Sequence, residues 1–190
     1  MRARAQGVEA TRERILHCAY ELWIEQPYEA VTLEAVAERA GVSKQTVIRQ
    51  FASKDELAVA VVDWQRPREE AGRQTEPGDV ETALSRLLQR YEAMGDANTR
   101  VLELERSIPA IHYLLSQARE SHRSWVEHVF GPFLPKRSGA ARERRIMAFY
   151  AATEVYLWKL LRRDFGLSRA ETTAVFHELV GALVDRKDLR

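Results

Sequence analysis

Cysteine occurs once, at Cys18, so an intrachain disulfide is impossible and a reducing interior fits. Cys18 stands three residues after Ile15 and four before Leu22, on the apolar face of a helix. It reads as a small core residue, the alternative being a redox-active thiol. Glycine and proline are sparse, at 9 and 6 residues, and alternating Val/Ile runs are missing. Both absences argue against sheet and leave helices. Long apolar runs are missing too. The longest, Ile146–Leu161, contains Thr153, Glu154 and Lys159 and falls short of the ~20 residues that a bilayer span needs. The opening MRARAQGVEATRER has no apolar segment, so a secretory signal is not expected. A cytoplasmic protein without a membrane partner is the expectation. Nucleophile elbow, phosphate-cradling glycine loop and HExxH are all lacking, so neither enzyme activity nor a cofactor or metal is expected.

An excess of one charge is lacking as well. The 29 basic and 28 acidic residues leave a net charge of +1. Locally the balance differs: Arg39, Lys44, Arg49 and Lys54 follow one another with no acid between them, and Asp55 and Glu56 close the island. Only the face turned to phosphates must be positive in a DNA-binding protein.

What is present is helical punctuation. A first helix is predicted over about Glu9–Glu25, stopped by Pro27. Thr32 caps a short helix Leu33–Ala40, Gly41 breaks it, and Ser43 caps Lys44–Phe51. Ser53 and Glu56 form a capping box for a fourth helix that ends near Pro67. Residues 67–78 then read as a connector. Beyond it, helices are predicted at Asp79–Met94, Thr99–Ile108, Ala110–Val129, Ala141–Asp164 and Ser168–Arg186. The fold class is all-α with about nine helices: residues 1–66 a three-helix helix-turn-helix DNA-binding domain, residues 67–190 a larger helical regulatory and dimerisation domain.

Three residues carry the helix-turn-helix reading. Ala37 lets two helices approach, Gly41 accepts a left-handed turn, and Val47 anchors the second helix; the spacing is four, then six. Val47 and Phe51 bury one face, so at ~100° per residue Gln45 and Arg49 point away, flanked by Thr46 and Ile48. A guanidinium, an amide and apolar carbon match guanine, adenine and the thymine methyl. Lys44, Lys54 and the helix starts at Ser43 and Ser53 suit phosphates. Arg2 and Arg4 are candidates for a minor-groove arm, the plainer reading being a solvated tail.

The stretch LEAVAERAGVSKQTVIRQFASKDEL resembles the signature of the TetR family of transcriptional regulators, roughly A-x-x-A-G-V-S-x-x-T-[LIV]-Y-x-[HY]-F-x-[SN]-K-x-x-L. The likeness is close from about Val8 to Trp64 and elsewhere extends to length and helix number. It implies that Thr32, Thr46 and Lys54 meet phosphates and that Lys44, Gln45 and Arg49 lie on the recognition helix. Ile48 replaces the usual tyrosine and Gln50 the usual histidine or tyrosine, which alters the operator rather than the activity. The implied partner is a double-stranded operator, bound by a homodimer.

The second half carries more apolar and aromatic residues than a reading head requires. Residues 145–161 are apolar nearly all round, and so is the last helix. Tyr156, Leu160, Phe176, Leu179 and Leu183 are the expected dimer contacts, the alternative being a well-buried core of one chain. By the resemblance, middle helices enclose a pocket for a small, largely apolar effector, with Tyr91, Leu102, His122, Trp125, Phe149, Glu154 and Trp158 as candidate lining. His122 and His128 are six apart, which is poor metal spacing. A DNA-processing enzyme is the competing class. It needs clustered carboxylates, and Glu69-Glu70 and Glu103/Glu105 lack supporting ligands.

Overall fold

A computed structural model describes the backbone of residues 2–185 and the side chains of residues 6–185. Among these residues the chain forms nine α-helices and no strand. They are α1 Arg2–Glu25, α2 Leu33–Arg39, α3 Lys44–Phe51, α4 Lys54–Arg73, α5 Val80–Glu103, α6 Pro109–Val129, α7 Ala140–Ala152, α8 Val155–Lys159 and α9 Arg169–Val184. Single tight turns at Tyr28–Ala30 and Gly131–Phe133 join some of them, and α8 widens into a π-helical turn over Leu160–Asp164. The all-α class and the helix number agree with the sequence reading.

The chain divides into two compact units, one of residues 1–69 and 100–116, the other of residues 70–99 and 117–190. In the first, Ile15, Ala19 and Leu22 of α1 pack with Val36 and Ala37 of α2, Val47 and Phe51 of α3, and Leu57 and Val61 of α4. Each large side chain fully withdrawn from water here contributes roughly 1.5–3 kcal/mol. A smaller cluster joins Tyr28 and Ala58 to Ile111 and Leu115, with Leu102 against it. The segment around Leu102 thus groups with the N-terminal residues.

Several helix ends differ from expectation. α1 starts at Arg2 rather than near Glu9. The connector expected over 67–78 is helical as far as Arg73, and Pro67 lies inside α4. Pro109 begins α6 instead of breaking a helix, because a first-turn residue needs no amide donor. The predicted helix Ala141–Asp164 is two helices, since Glu154 takes an extended backbone (φ −79°, ψ 150°) between α7 and α8.

Gly95 was expected to end a helix; instead α5 runs through it. The reason is close packing within the second unit. A Cβ at Gly95 would stand 2.2 Å from the six-membered ring of Trp158, which is fully buried. The indole is fixed from its other end, where Nε1 donates to Glu92 Oε1 at 2.9 Å. Arg162 donates to both oxygens of Glu92, at 2.7 and 3.0 Å, and this pairing holds the carboxyl down to about 2. In the same unit Phe130 and Phe149 stack at 4.2 Å, and Trp125 meets Phe130 edge-on at 5.8 Å.

Gly95→Ala therefore overpacks the interior of the second unit. The expected loss is about 1–3 kcal/mol, read from the midpoint of urea denaturation at unchanged slope.

Candidate nucleic-acid interface

Side-chain caps set the first unit's short helices. Thr32 Oγ1 accepts from the Ala35 amide at 3.1 Å and starts α2. Gly41 takes φ +63° in the turn that follows, a conformation that costs a residue with a Cβ. Ser43 Oγ accepts from the Thr46 amide at 3.2 Å and starts α3, and its hydroxyl lies 2.9 Å from that of Thr46. At the far end Ala52 has φ +55°, and the Ser53 amide reaches back to the Phe51 carbonyl at 2.5 Å. This tight three-residue turn swings the chain into α4. Ser53 Oγ then accepts from the Glu56 amide at 3.1 Å.

Val47 and Phe51 are buried, so the orientation of α3 is settled. Gln45 and Arg49 are exposed on the opposite side; Thr46, Ile48 and Gln50 are half-buried. Among the described residues Arg49 has neither an acidic partner nor a hydrogen bond.

The rest of the positive island is less free than the sequence implied. Arg39 forks onto Glu25 with bonds of 2.9 and 2.7 Å. Lys44 pairs with Glu34. Lys54 is half-buried, its Nζ donating to the carbonyls of Tyr28 at 2.8 Å and Val31 at 2.9 Å and lying 4.3 Å from the Tyr28 ring centre. Burial lowers its pKa. Tyr28 is held in turn by donating to Asp55 Oδ1 at 2.6 Å. Lys54 thus ties the turn at Tyr28–Ala30 to the start of α4, a task that spacing along the sequence does not reveal.

Two α1 cations were missed. Arg14 Nε donates to the Ala40 carbonyl at 2.9 Å, and Arg12 lies 4.4 Å from the Phe51 ring centre and 3.5 Å from the Gln50 carbonyl. They meet the C-terminal carbonyls of α2 and α3, where the helix dipole favours cations. Nothing in the α1 periodicity marks them. The side chains of Arg2 and Arg4 lie outside the described residues.

Six of the seven candidate effector residues fall in the second unit: Tyr91, His122, Trp125, Phe149, Glu154 and Trp158. Leu102 belongs to the other unit. The six surround the break between α7 and α8. Tyr91 donates to the Thr153 carbonyl at 2.8 Å, and His122 Nε2 lies 3.1 Å from Thr153 Oγ1. Thr153 Oγ1 donates to the Phe149 carbonyl at 2.7 Å. His122 stacks on Trp125 at 5.3 Å and meets the edge of Tyr150 at 4.7 Å. Burial, then the charge of Arg73, pushes His122 down to about 3, so the ring is neutral. Among the described residues no group of three His, Cys, Asp or Glu is placed to hold a metal ion, and no helix is long and apolar enough to cross a membrane.

Of the expected dimer contacts, Tyr156, Leu160 and Leu179 are 53%, 41% and 42% exposed. Met147, on the same apolar stretch 145–161, and Phe165, which the sequence reading passed over, are exposed on the same unit. Leu183 is half-buried. Phe176 is not a surface residue: it is wholly buried within its own chain. Helical spacing alone does not separate the inward stripe of α9 from its outward one.

Residues 15–61 match the family described as bacterial regulatory proteins, tetR family. The HTH-type transcriptional regulator TcmR of Streptomyces glaucescens is 37% identical over 59 residues, 31% of this chain and 26% of that protein. The matched region thus spans about a quarter of the length of such curated relatives. A tetR-family transcriptional regulator from Streptomyces coelicolor shares the fold with a TM-score of 0.74 at 16% identity, covering 94% of this chain and 88% of that one. NalD, the secondary repressor of the MexAB-OprM multidrug efflux pump in Pseudomonas aeruginosa, does so with a TM-score of 0.58 at 17% identity, covering 95% and 99%.

The geometry separates two substitutions. Arg49→Ala is expected to leave the thermal midpoint unchanged and, in duplex titrations, to cost about 1–3 kcal/mol on the preferred sequence but much less on others. Lys54→Met, which unties the Tyr28–Ala30 turn, is expected to destabilise the fold by about 1–3 kcal/mol, seen as a lower denaturation midpoint without any DNA present.

Proposed function

We propose that the chain, which matches the tetR family of bacterial regulatory proteins over residues 15–61, is a cytoplasmic repressor that binds a pseudo-palindromic operator as a homodimer and is released by a small, largely apolar effector. The carrying observation is the outward face of α3. Gln45 and Arg49 are exposed there and Arg49 is unpaired among the described residues, on a helix whose other face is locked by Val47 and Phe51. Arg49 supplies a bidentate donor for guanine, Gln45 an amide for adenine, and Ile48 carbon for a thymine methyl. Thr32, Ser43, Lys44, Thr46 and Gln50 hold the phosphates on either side, with Lys44 leaving Glu34 to do so. Lys54 acts mainly by fixing the turn that carries these contacts.

Dimerisation rests on the exposed apolar residues Tyr156, Leu160 and Leu179, with Leu183 at the margin. Exposed apolar side chains of this size on the last two helical segments are available to a partner, and a second copy gives the two-fold symmetry that an inverted repeat requires. Release by an effector is supported by the partly polar interior around His122 and Thr153, and repression by the fold shared with NalD. The effector lowers operator affinity only as far as it prefers the conformation that binds DNA poorly.

Selection from random duplex DNA is expected to recover inverted half-sites with centres ~34 Å apart or a multiple of it. Affinity is expected to fall steeply with salt, as several phosphates are neutralised. Sedimentation at micromolar concentration is expected to give a dimer. Leu179→Glu is expected to give a folded monomer with operator affinity reduced at least about tenfold, whereas Phe176→Glu is expected to unfold the chain. Recovery of no sequence preference, or a Leu179→Glu protein that stays dimeric, overturns the reading.

A further inference from the structure

Glu154 stands where a helix cap belongs and does not act as one. It occupies the position before α8 with an extended backbone, yet its side chain makes no capping bond. One carboxylate oxygen, Oε1, accepts from the Tyr150 hydroxyl at 3.3 Å. The other, Oε2, is buried and has no hydrogen-bond partner among the described residues. A buried carboxylate oxygen left unpaired is costly, more so than a neutral acceptor. Such an atom is retained where something else supplies the donor.

The surroundings say what that donor is. Tyr150 meets the buried His122 edge-on, and His122 stacks on Trp125, so three aromatic rings run on from the carboxylate. Trp125 is 92% buried and its Nε1 likewise has no partner. His122 is neutral and adds no positive charge. Burial, then the charge of Glu154, pushes Tyr150 up to about 12, so the phenol stays a donor to Oε1. Glu154 and Tyr150 are each half-buried.

We propose that the effector carries a protonated amine that binds Glu154 Oε2, with its apolar body against the rings of Tyr150, His122 and Trp125. A cation satisfies the unpaired oxygen and gains from aromatic faces. An anionic effector would face the carboxylate directly, and a neutral one would offer Oε2 only an uncharged donor. The ligand class deepens the effector-release reading and rests on it for its regulatory meaning, though not for binding.

Three probes share one apolar body and differ in head group: 1-naphthylmethylamine, 1-naphthylmethanol and 1-naphthoate. Calorimetric titration of the full-length protein is expected to show the amine binding at least about tenfold tighter than the alcohol, with the carboxylate weakest. Glu154→Gln is expected to bring the amine down to the level of the alcohol. The comparison on the unmodified protein stands even if that variant fails to fold. Equal binding of amine and alcohol, tighter binding of the carboxylate, or no binding of the amine overturns the proposal, as does an amine preference that survives in folded Glu154→Gln. The operator titration is then repeated with saturating amine. Amine binding that leaves operator affinity unchanged keeps the site and removes the effector-release reading instead.

Discussion

The burial of Val47 and Phe51 is the constraint on which the reading head depends. α3 has only eight residues, and a helix of that length does not stand alone in water. It holds its place because one face is packed against α1, α2 and α4, and caps at Ser43 and the turn at Ala52 define both ends. Once that face is committed, the outward positions of Gln45 and Arg49 are fixed by helical geometry and nothing else. The cations around α3 serve the same end. Lys54, Arg12 and Arg14 all reach backbone carbonyls, so much of the local positive charge holds the frame and only part of it faces solvent.

The second unit is organised around a different requirement, the satisfaction of polar groups at an interrupted helix. Ending α7 at Ala152 frees carbonyls in the interior. Tyr91 donates to one, and Thr153 turns its hydroxyl back onto another while facing His122. Neighbouring side chains thus meet several of the carbonyls at the interruption. Glu154 Oε2 and Trp125 Nε1 are the exceptions near it, and exceptions in a well-bonded interior carry more information than the bonds themselves.

The sequence was most legible where a residue type has one physical use. Gly41 at a left-handed turn, Ser43 as a cap and the apolar period of Val47 and Phe51 defined α3 to the residue. The all-helical class followed from the same local signals. Residues whose meaning depends on a distant neighbour were opaque. Gly95 looked like a breaker because the ring of Trp158 that requires it is far along the chain. Lys54 looked like a phosphate contact because its carbonyl partners at Tyr28 and Val31 belong to a turn with no pattern of its own. Phe176 and Leu179 share a helix and a hydrophobic character, and only packing tells that one points into the core. Of the candidate effector residues, those chosen for aromatic content gather in one unit, but Leu102 went to the other and the unpaired oxygen of Glu154 had no signal in sequence.

The contact between Gly95 and Trp158 has a consequence for how this chain varies over generations. The indole occupies the volume that any side chain at position 95 would need, so the two positions behave as a single heritable character. A lineage gains a methyl at 95 only after the ring at 158 has shrunk. A smaller residue at 158 first opens a void and leaves Glu92 without the indole donor, held by Arg162. Drift at either site is conditional on the other, and the permitted order of changes runs through position 158.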